Sequence, residues 1–238
     1  MDPAQQGPAD IEPQKRLAVL ANATADAKEL TAAGEHETNR GAQNSVAPDQ
    51  VERLITDWPE AAKLGVKQMV AQYGAPNEAT PTRMLWFDRA PWKRIQVTCD
   101  EVVHKFPTPH ADFLTQYIDY EVPLNKFEEL GRYDGSCLID RTMGEAAARC
   151  DSEAANFLTL NLMHEIVTGE RTVDDARAFY SETLSAYCLG EPAPYCEGFQ
   201  FSVARGGSGD PDQPAEPGSK AQEVTQKVED YLAANGRV

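Results

Sequence analysis

The sequence predicts an α+β domain in which a mostly antiparallel sheet, built from two hairpins plus one strand, packs against three helices. Three observations carry that reading. Strand-like runs flank the turn-rich tetrapeptide Asp88–Pro91, and a second pair, SCLIDRT and EAAARC, flanks Met143-Gly144. Three further segments, around 60–73, 152–168 and 172–188, repeat apolar residues at helical spacing.

In chain order, residues 1–49 contain no aromatic residue and read as a disordered acidic tail, with transient helix around Lys15 to Leu30. The folded domain is expected over 50–203, where all the tryptophans and phenylalanines lie. Asp57 with Glu60 reads as a capping box opening a helix that carries Ala62, Val66, Met69 and Tyr73 inward and stops at Gly74. The first hairpin spans Arg83 to Val103, and TQYIDYEVP adds a strand. A short helix around Asn125 to Leu130 and a turn over Tyr133 to Ser136 lead to the second hairpin, where Gly144 supplies the positive φ of a tight turn.

Asp151 is expected to cap a helix starting at Ser152, and Gly169 to end it. Its wheel puts Ala155, Leu158, Leu160, Leu162, Met163, Ile166 and Val167 on one face, with Glu153, Asn161, His164, Glu165 and Thr168 on a wet stripe. Thr172 with Asp175 opens the last helix of the domain. Residues 204–219 read as a flexible linker. Beyond it, 220–238 is a short amphipathic helix or tail, whose seam of Val224, Val228, Tyr231 and Leu232 suits docking on its own domain, a second copy or another protein.

The chain has 238 residues and a net charge of −16, and 50–204 alone holds 24 acids against 14 bases. Such a surface repels phosphate backbones and anionic lipid, so neither nucleic acid nor membrane is an expected partner. With no secretory-type apolar run, a soluble cytoplasmic protein is expected. Five cysteines without a C-x-x-C pair predict small buried hydrophobes rather than a zinc knuckle, and leave open whether Cys188 and Cys196 pair.

Tyr73-Gly74-Ala75-Pro76, Pro91-Trp92-Lys93-Arg94, HKFPTPH at 104–110, Tyr133-Asp134-Gly135-Ser136, Arg141 to Glu145 and NFLTLNL from Asn156 are similar to landmarks of a family of uncharacterised bacterial proteins. The resemblance spans roughly 58–201. It implies a single bacterial domain, and brings no activity or site residues with it.

Candidate chemistry is sparse. His104, His110 and Asp112 have the composition of a metal-binding loop. However, if Pro107 and Pro109 hold the intervening chain near polyproline II, at about 3.1 Å per residue, the histidines stand roughly 19 Å apart. The alternative makes Thr108 an N-cap with Pro109 in a first helical turn, and on this reading no metal or cofactor is expected. His164 and Glu165 point about 100° apart on their helix and form no pair. Asn156 falls on the apolar face and needs partners, on neighbouring main chain or on a ligand. Trp92, Lys93 and Arg94, across the turn from Trp86, offer aromatic and cationic groups to a partner, or bury the indoles and leave edge charges. No G-x-S-x-G elbow, Walker A loop or dinucleotide fingerprint occurs. These residues point to a non-enzymatic binding protein for an unknown protein or small molecule. The alternative is a hydrolase-like enzyme using His104, His110, Asp112 and Glu145.

Overall fold

Alternating burial along strands that each hydrogen-bond to their neighbours sets the architecture of residues 41–206. In the computed structural model, which describes residues 11–38, 41–206 and 209–237, the chain divides into two compact units. The larger carries β1 (Glu78–Ala79), β2 (Arg83–Arg89), β3 (Trp92–His104), β4 (His110–Asp119), β5 (Cys137–Asp140) and β6 (Glu145–Cys150). They form one antiparallel sheet in the order β1-β2-β3-β4-β6-β5. The α+β class is therefore as the sequence predicts. The expected pairs β2–β3 and β5–β6 are joined by a third hairpin, β3–β4, and by the short edge strand β1.

The third hairpin corrects the reading of 104–110. The chain reverses between His104 and His110, which face each other as register partners, so neither a polyproline rod nor a helix starting at Pro109 forms. A register shift between Val97 and Val102 marks a bulge in the long strand β3.

α1 (Pro13–Ala33) and, later in the chain, α8 (Ser219–Ala234) make the smaller unit; α2 (Pro48–Leu54), α3 (Glu60–Tyr73), α4 (Phe127–Tyr133), α5 (Glu153–Thr168), α6 (Val173–Cys188) and α7 (Pro194–Glu197) belong to the larger. α3, α5 and α6 are the three helices expected against the sheet, α4 and α8 overlap the short helices expected around Asn125 to Leu130 and over 220–238, and α2 and α7 were not expected. α3 turns Ala62, Val66 and Met69 into the core, and its Gly65 lies so close to the Phe113 ring that a Cβ there would stand 2.5 Å from it. Its N-cap is Pro59 with no side-chain cap bond, so the capping box at Asp57 is not made.

α5 is capped by Ser152, whose hydroxyl accepts from the Ala155 N–H, one residue later than expected, and ends at Gly169 with φ 81°. It is buried more completely than a one-sided helix. Asn161, placed by the wheel on the wet stripe, is 1% exposed. Its amide donates to the carbonyls of Tyr195 and Gly198, and its oxygen accepts from the Gln200 N–H, tying the segment after α7 across the helix. His164 meets the Tyr120 hydroxyl and stacks on Phe201. That returning segment removes the solvent the wheel assumes.

The alanines of β6, poor strand formers, are all buried. Their small size lets α5 approach the strand, and packing overrides propensity. The core runs continuously from Trp58 and Trp86 through Ile95, Leu114 and Ile118 to Leu158, Met163 and Tyr180.

In the smaller unit, Ala21 and Ala25 of α1 are buried with Val228 and Leu232 of α8, with Leu17 and Tyr231 packed alongside. Arg237 binds Asn22, Asp26 and Glu29. Residues 13–33, expected in a disordered tail, are thus helical, and the seam at Val228 and Leu232 is taken up by the chain's own first helix. Val224 stays 39% exposed. Residues 1–10 of the expected tail and 207–208 of the expected linker lie outside the described residues. No helix among the described residues is long and apolar enough to cross a membrane.

Candidate metal centre

The β3–β4 hairpin brings together what the sequence separates. His104 ends β3, while His110 and Asp112 open β4; by alternation these three side chains share one sheet face, which continues through Leu114 to its register partner Cys150 in β6. The hairpin turn is clamped from outside. Phe106 packs on Tyr180 of α6 at 5.0 Å between ring centroids, and the Arg177 guanidinium lies over the Phe106 ring, 3.8 Å from its centroid. Arg177 also donates to the Tyr133 carbonyl at the end of α4.

One atom from each of His104, His110 and Asp112 falls within 4.8 Å of the others, the spacing of a ligand set around an ion. His110 Nε2 is 3.1 Å from Asp112 Oδ1 and 3.3 Å from Cys150 Sγ, and His104 Nδ1 is 3.7 Å from Asp112 Oδ2. Ligands on a tetrahedral zinc, with bonds of about 2.0–2.3 Å, are separated by roughly 3.3–3.7 Å. The His110–Asp112 Oδ1 separation is near the lower of those edges, while the 3.7 Å from His104 Nδ1 is to the other carboxylate oxygen, Oδ2, and the three ligand atoms as a set lie within 4.8 Å.

The outer contacts fix which atoms face inward. His110 Nδ1 lies 2.7 Å from the Thr108 carbonyl, which accepts only, so Nδ1 carries the proton and Nε2 faces the cluster. His104 Nε2 lies 3.4 Å from the buried Asp134 carboxylate, which leaves its Nδ1 for the cluster. Ser136 donates to Asp112 Oδ2 at 2.5 Å, and the Asp134 carboxylate accepts from the Ser136 N–H. A carboxylate behind one imidazole and a carbonyl behind the other is the arrangement that orients histidines toward metals.

Two of the inward atoms are orphans. His104 Nδ1 and Asp112 Oδ1 are buried and have no hydrogen-bond partner, as is Arg149 Nε beside them. Asp112 is 1% exposed, and leaving a carboxylate oxygen unpaired there is costly. Asp112, and then the Cys150 thiol, push His110 up to about 11, so in this arrangement the imidazole holds its proton and an ion must displace it to bind. Burial pushes Asp112 up, but His110, Ser136 and His104 outweigh it and hold the carboxyl below its usual range. Burial raises both Asp134 and Cys150.

The other sequence candidates lie elsewhere and are occupied. Glu145, grouped with the histidines in the hydrolase reading, sits at the opposite end of the β4–β6 ladder, paired with Asp119 in register. Its carboxylate binds Lys93 Nζ and Arg94 Nη2, both at 2.9 Å; Lys93 also binds Asp119, and Arg94 covers the Tyr117 ring. Trp92 is 1% exposed. Its indole donates to Glu153, as do the Tyr73 hydroxyl and the Gln116 amide. Asn156 donates to the Leu114 carbonyl and to Gln116 Oε1, though its own oxygen has no partner. These contacts join α5 and the end of α3 to the sheet, and they turn the proposed binding groups inward.

Sequence reasoning passed over Cys150, Asp134 and Ser136. Only the strand register, with Cys150 opposite Leu114, would have pointed to them. Of the cysteines, Cys196 is also buried, Cys99 and Cys137 are half-buried and Cys188 is exposed, all as free thiols. Comparison with protein-family models, characterised proteins and solved structures finds no match to the chain.

Proposed function

We propose that this protein is a metal-binding protein that holds one transition-metal ion, Zn²⁺ foremost, through His104 Nδ1, His110 Nε2 and Asp112 Oδ1. The observation that carries the reading is the pair of orphaned inward atoms. The buried His104 Nδ1 has no hydrogen-bond partner, and Asp112 Oδ1 has only the edge of the His110 ring at 3.1 Å, in poor hydrogen-bond geometry; a cation entering between them gives both a common partner. The donor set suits the ion: two imidazoles and one carboxylate favour zinc and its neighbours over the all-oxygen shells of Mg²⁺ and Ca²⁺.

Binding is favoured over hydrolysis because Glu145, the second carboxylate that the hydrolase reading needs, is neutralised by Lys93 and Arg94 at the far end of the ladder. The ion would tie the end of β3 to the start of β4, and its stabilisation would follow mass action, about 2.7 kcal/mol when free metal is 100-fold above Kd. The test is calorimetric titration of chelator-stripped protein with Zn²⁺. One ion per chain is expected for the natural sequence, and none for His110→Ala. Stripped protein that neither binds zinc nor gains melting temperature from it would refute the reading.

A further inference from the structure

We infer that the cleft between α3 and the start of α5 binds a small organic amine, with the ammonium head on Glu153 and the apolar body on Phe157. The cleft has a volume of about 700 Å³, within the roughly 300–1,000 Å³ of small-molecule sites, and Tyr187 of α6 and Glu197 of α7 also line it. None of the proposed metal ligands takes part. Glu153, the first residue of α5, is held in place from three elements. Its Oε1 accepts from the Tyr73 hydroxyl of α3 at 2.6 Å, the Trp92 indole N–H of β3 at 2.6 Å and the Gln116 amide of β4 at 2.7 Å. Trp92 and Gln116 are fully buried, so a ligand meets a carboxylate whose ordering cost is already met.

All three donors are neutral. Among the described residues no cation pairs with Glu153, and none donates to its other oxygen, Oε2. Glu145, by contrast, holds a cation on each oxygen. The lining of the cleft adds a second acid, Glu197, and contains no lysine, arginine or histidine. Such a wall attracts a cation and repels an anion. The rest of the lining selects the kind of cation. Phe157, packed on Trp92 and Phe199 at 4.7 and 4.9 Å between ring centroids, and Met69 supply an apolar floor, and Tyr187 brings a 42% exposed ring. A bare Mg²⁺ or Ca²⁺ ion needs a shell of oxygens that this floor does not offer, whereas a hydrocarbon or aromatic body matches it. A primary ammonium brings three N–H donors for Oε2 and its surroundings, and a quaternary one brings none.

Three probes of one shape separate charge from fit: phenethylamine, the neutral phenethyl alcohol and the anionic phenylacetate, each titrated calorimetrically into the full-length protein. Phenethylamine should bind once per chain, at least about tenfold more tightly than the alcohol, the difference that one charge-assisted hydrogen bond supplies. Phenylacetate should give no binding heat. Glu153→Gln keeps an oxygen for the three donors and removes the charge, so it should weaken phenethylamine by a similar factor and leave the alcohol unchanged. Should that variant fail to fold, Tyr187→Ala changes an exposed ring of the cleft, and it should weaken phenethylamine severalfold at an unaltered melting temperature. The assignment is overturned if phenethylamine does not bind, if the alcohol or phenylacetate binds as tightly, or if the folded variant binds the amine as the natural sequence does.

Discussion

Two buried carboxylates mark opposite ends of the β4–β6 ladder, and they are treated differently. Glu145, 2% exposed, has each oxygen on a cation that is charged at any ordinary pH, Lys93 on one and Arg94 on the other. Asp112, 1% exposed, has a serine hydroxyl on one oxygen and His110 Nε2 at 3.1 Å from the other, with His104 Nδ1 and the Arg149 guanidinium each 3.7 Å away. The first end has two close cations, one on each oxygen. The second has one cation at a longer distance and two imidazoles, groups that ligate metals when they shed protons. Burial alone therefore does not mark a site; the kind of neighbour and the atom left over do.

The widest separation between the two ends should come from removing Glu145. Glu145→Gln leaves Lys93 and Arg94 facing an amide in a dry setting, and a loss of about 3 kcal/mol is expected in denaturant titration. The same variant should keep its full stabilisation by Zn²⁺; a lost zinc response would mean that the two ends are not independent. Asp112→Asn should behave in the opposite manner. At zinc 100-fold above the natural Kd, the gain of about 2.7 kcal/mol should vanish, and a retained gain would show that the ion sits elsewhere.

A finer probe is Asp134→Asn, which touches no proposed ligand atom but weakens the hold on His104 Nε2 and on the Ser136 N–H behind Asp112. Zinc affinity should fall about 10- to 100-fold by competition with a chromophoric chelator, while the response to Glu145→Gln is unchanged. Unaltered affinity would remove Asp134 from the design. The smallest effect belongs to Arg94→Ala. Lys93 still covers Glu145, and Arg94 is 24% exposed, so the cost should stay near 1 kcal/mol. A cost as large as that of Glu145→Gln would mean Arg94 alone neutralises the carboxylate.

Local signals were readable where local physics decides. The turn at Asp88–Pro91 and the strands around it fall within a residue or two of the observed β2 and β3, and Gly169 ends α5 as expected. The candidate metal centre was legible only as a composition, HKFPTPH with Asp112. The proline-derived separation of roughly 19 Å missed that β3 and β4 pair, which gives the turn between them its shape. Cys150 carried no local signal, because its place depends on which residue of β4 it opposes. Asn161 and His164 were read as wet because a helical wheel does not know that the segment after α7 comes back over them. The helix α1 was legible only as transient helix around Lys15 to Leu30, for the same reason at greater range: its apolar contacts are weak by themselves and become a face only against α8.

That last pairing sets an order of events. Arg237 closes onto Asn22 across 215 residues, so α1 meets its companion only after the chain between them has been made. At roughly 5–20 residues per second, α1 waits on the order of 10–40 s, time enough for the sheet to assemble in between. The nascent chain therefore exposes an unmatched helix while the residues between are made, and products truncated before α8 carry it permanently. The α1–α8 clasp thus records that the whole of the intervening chain has been made.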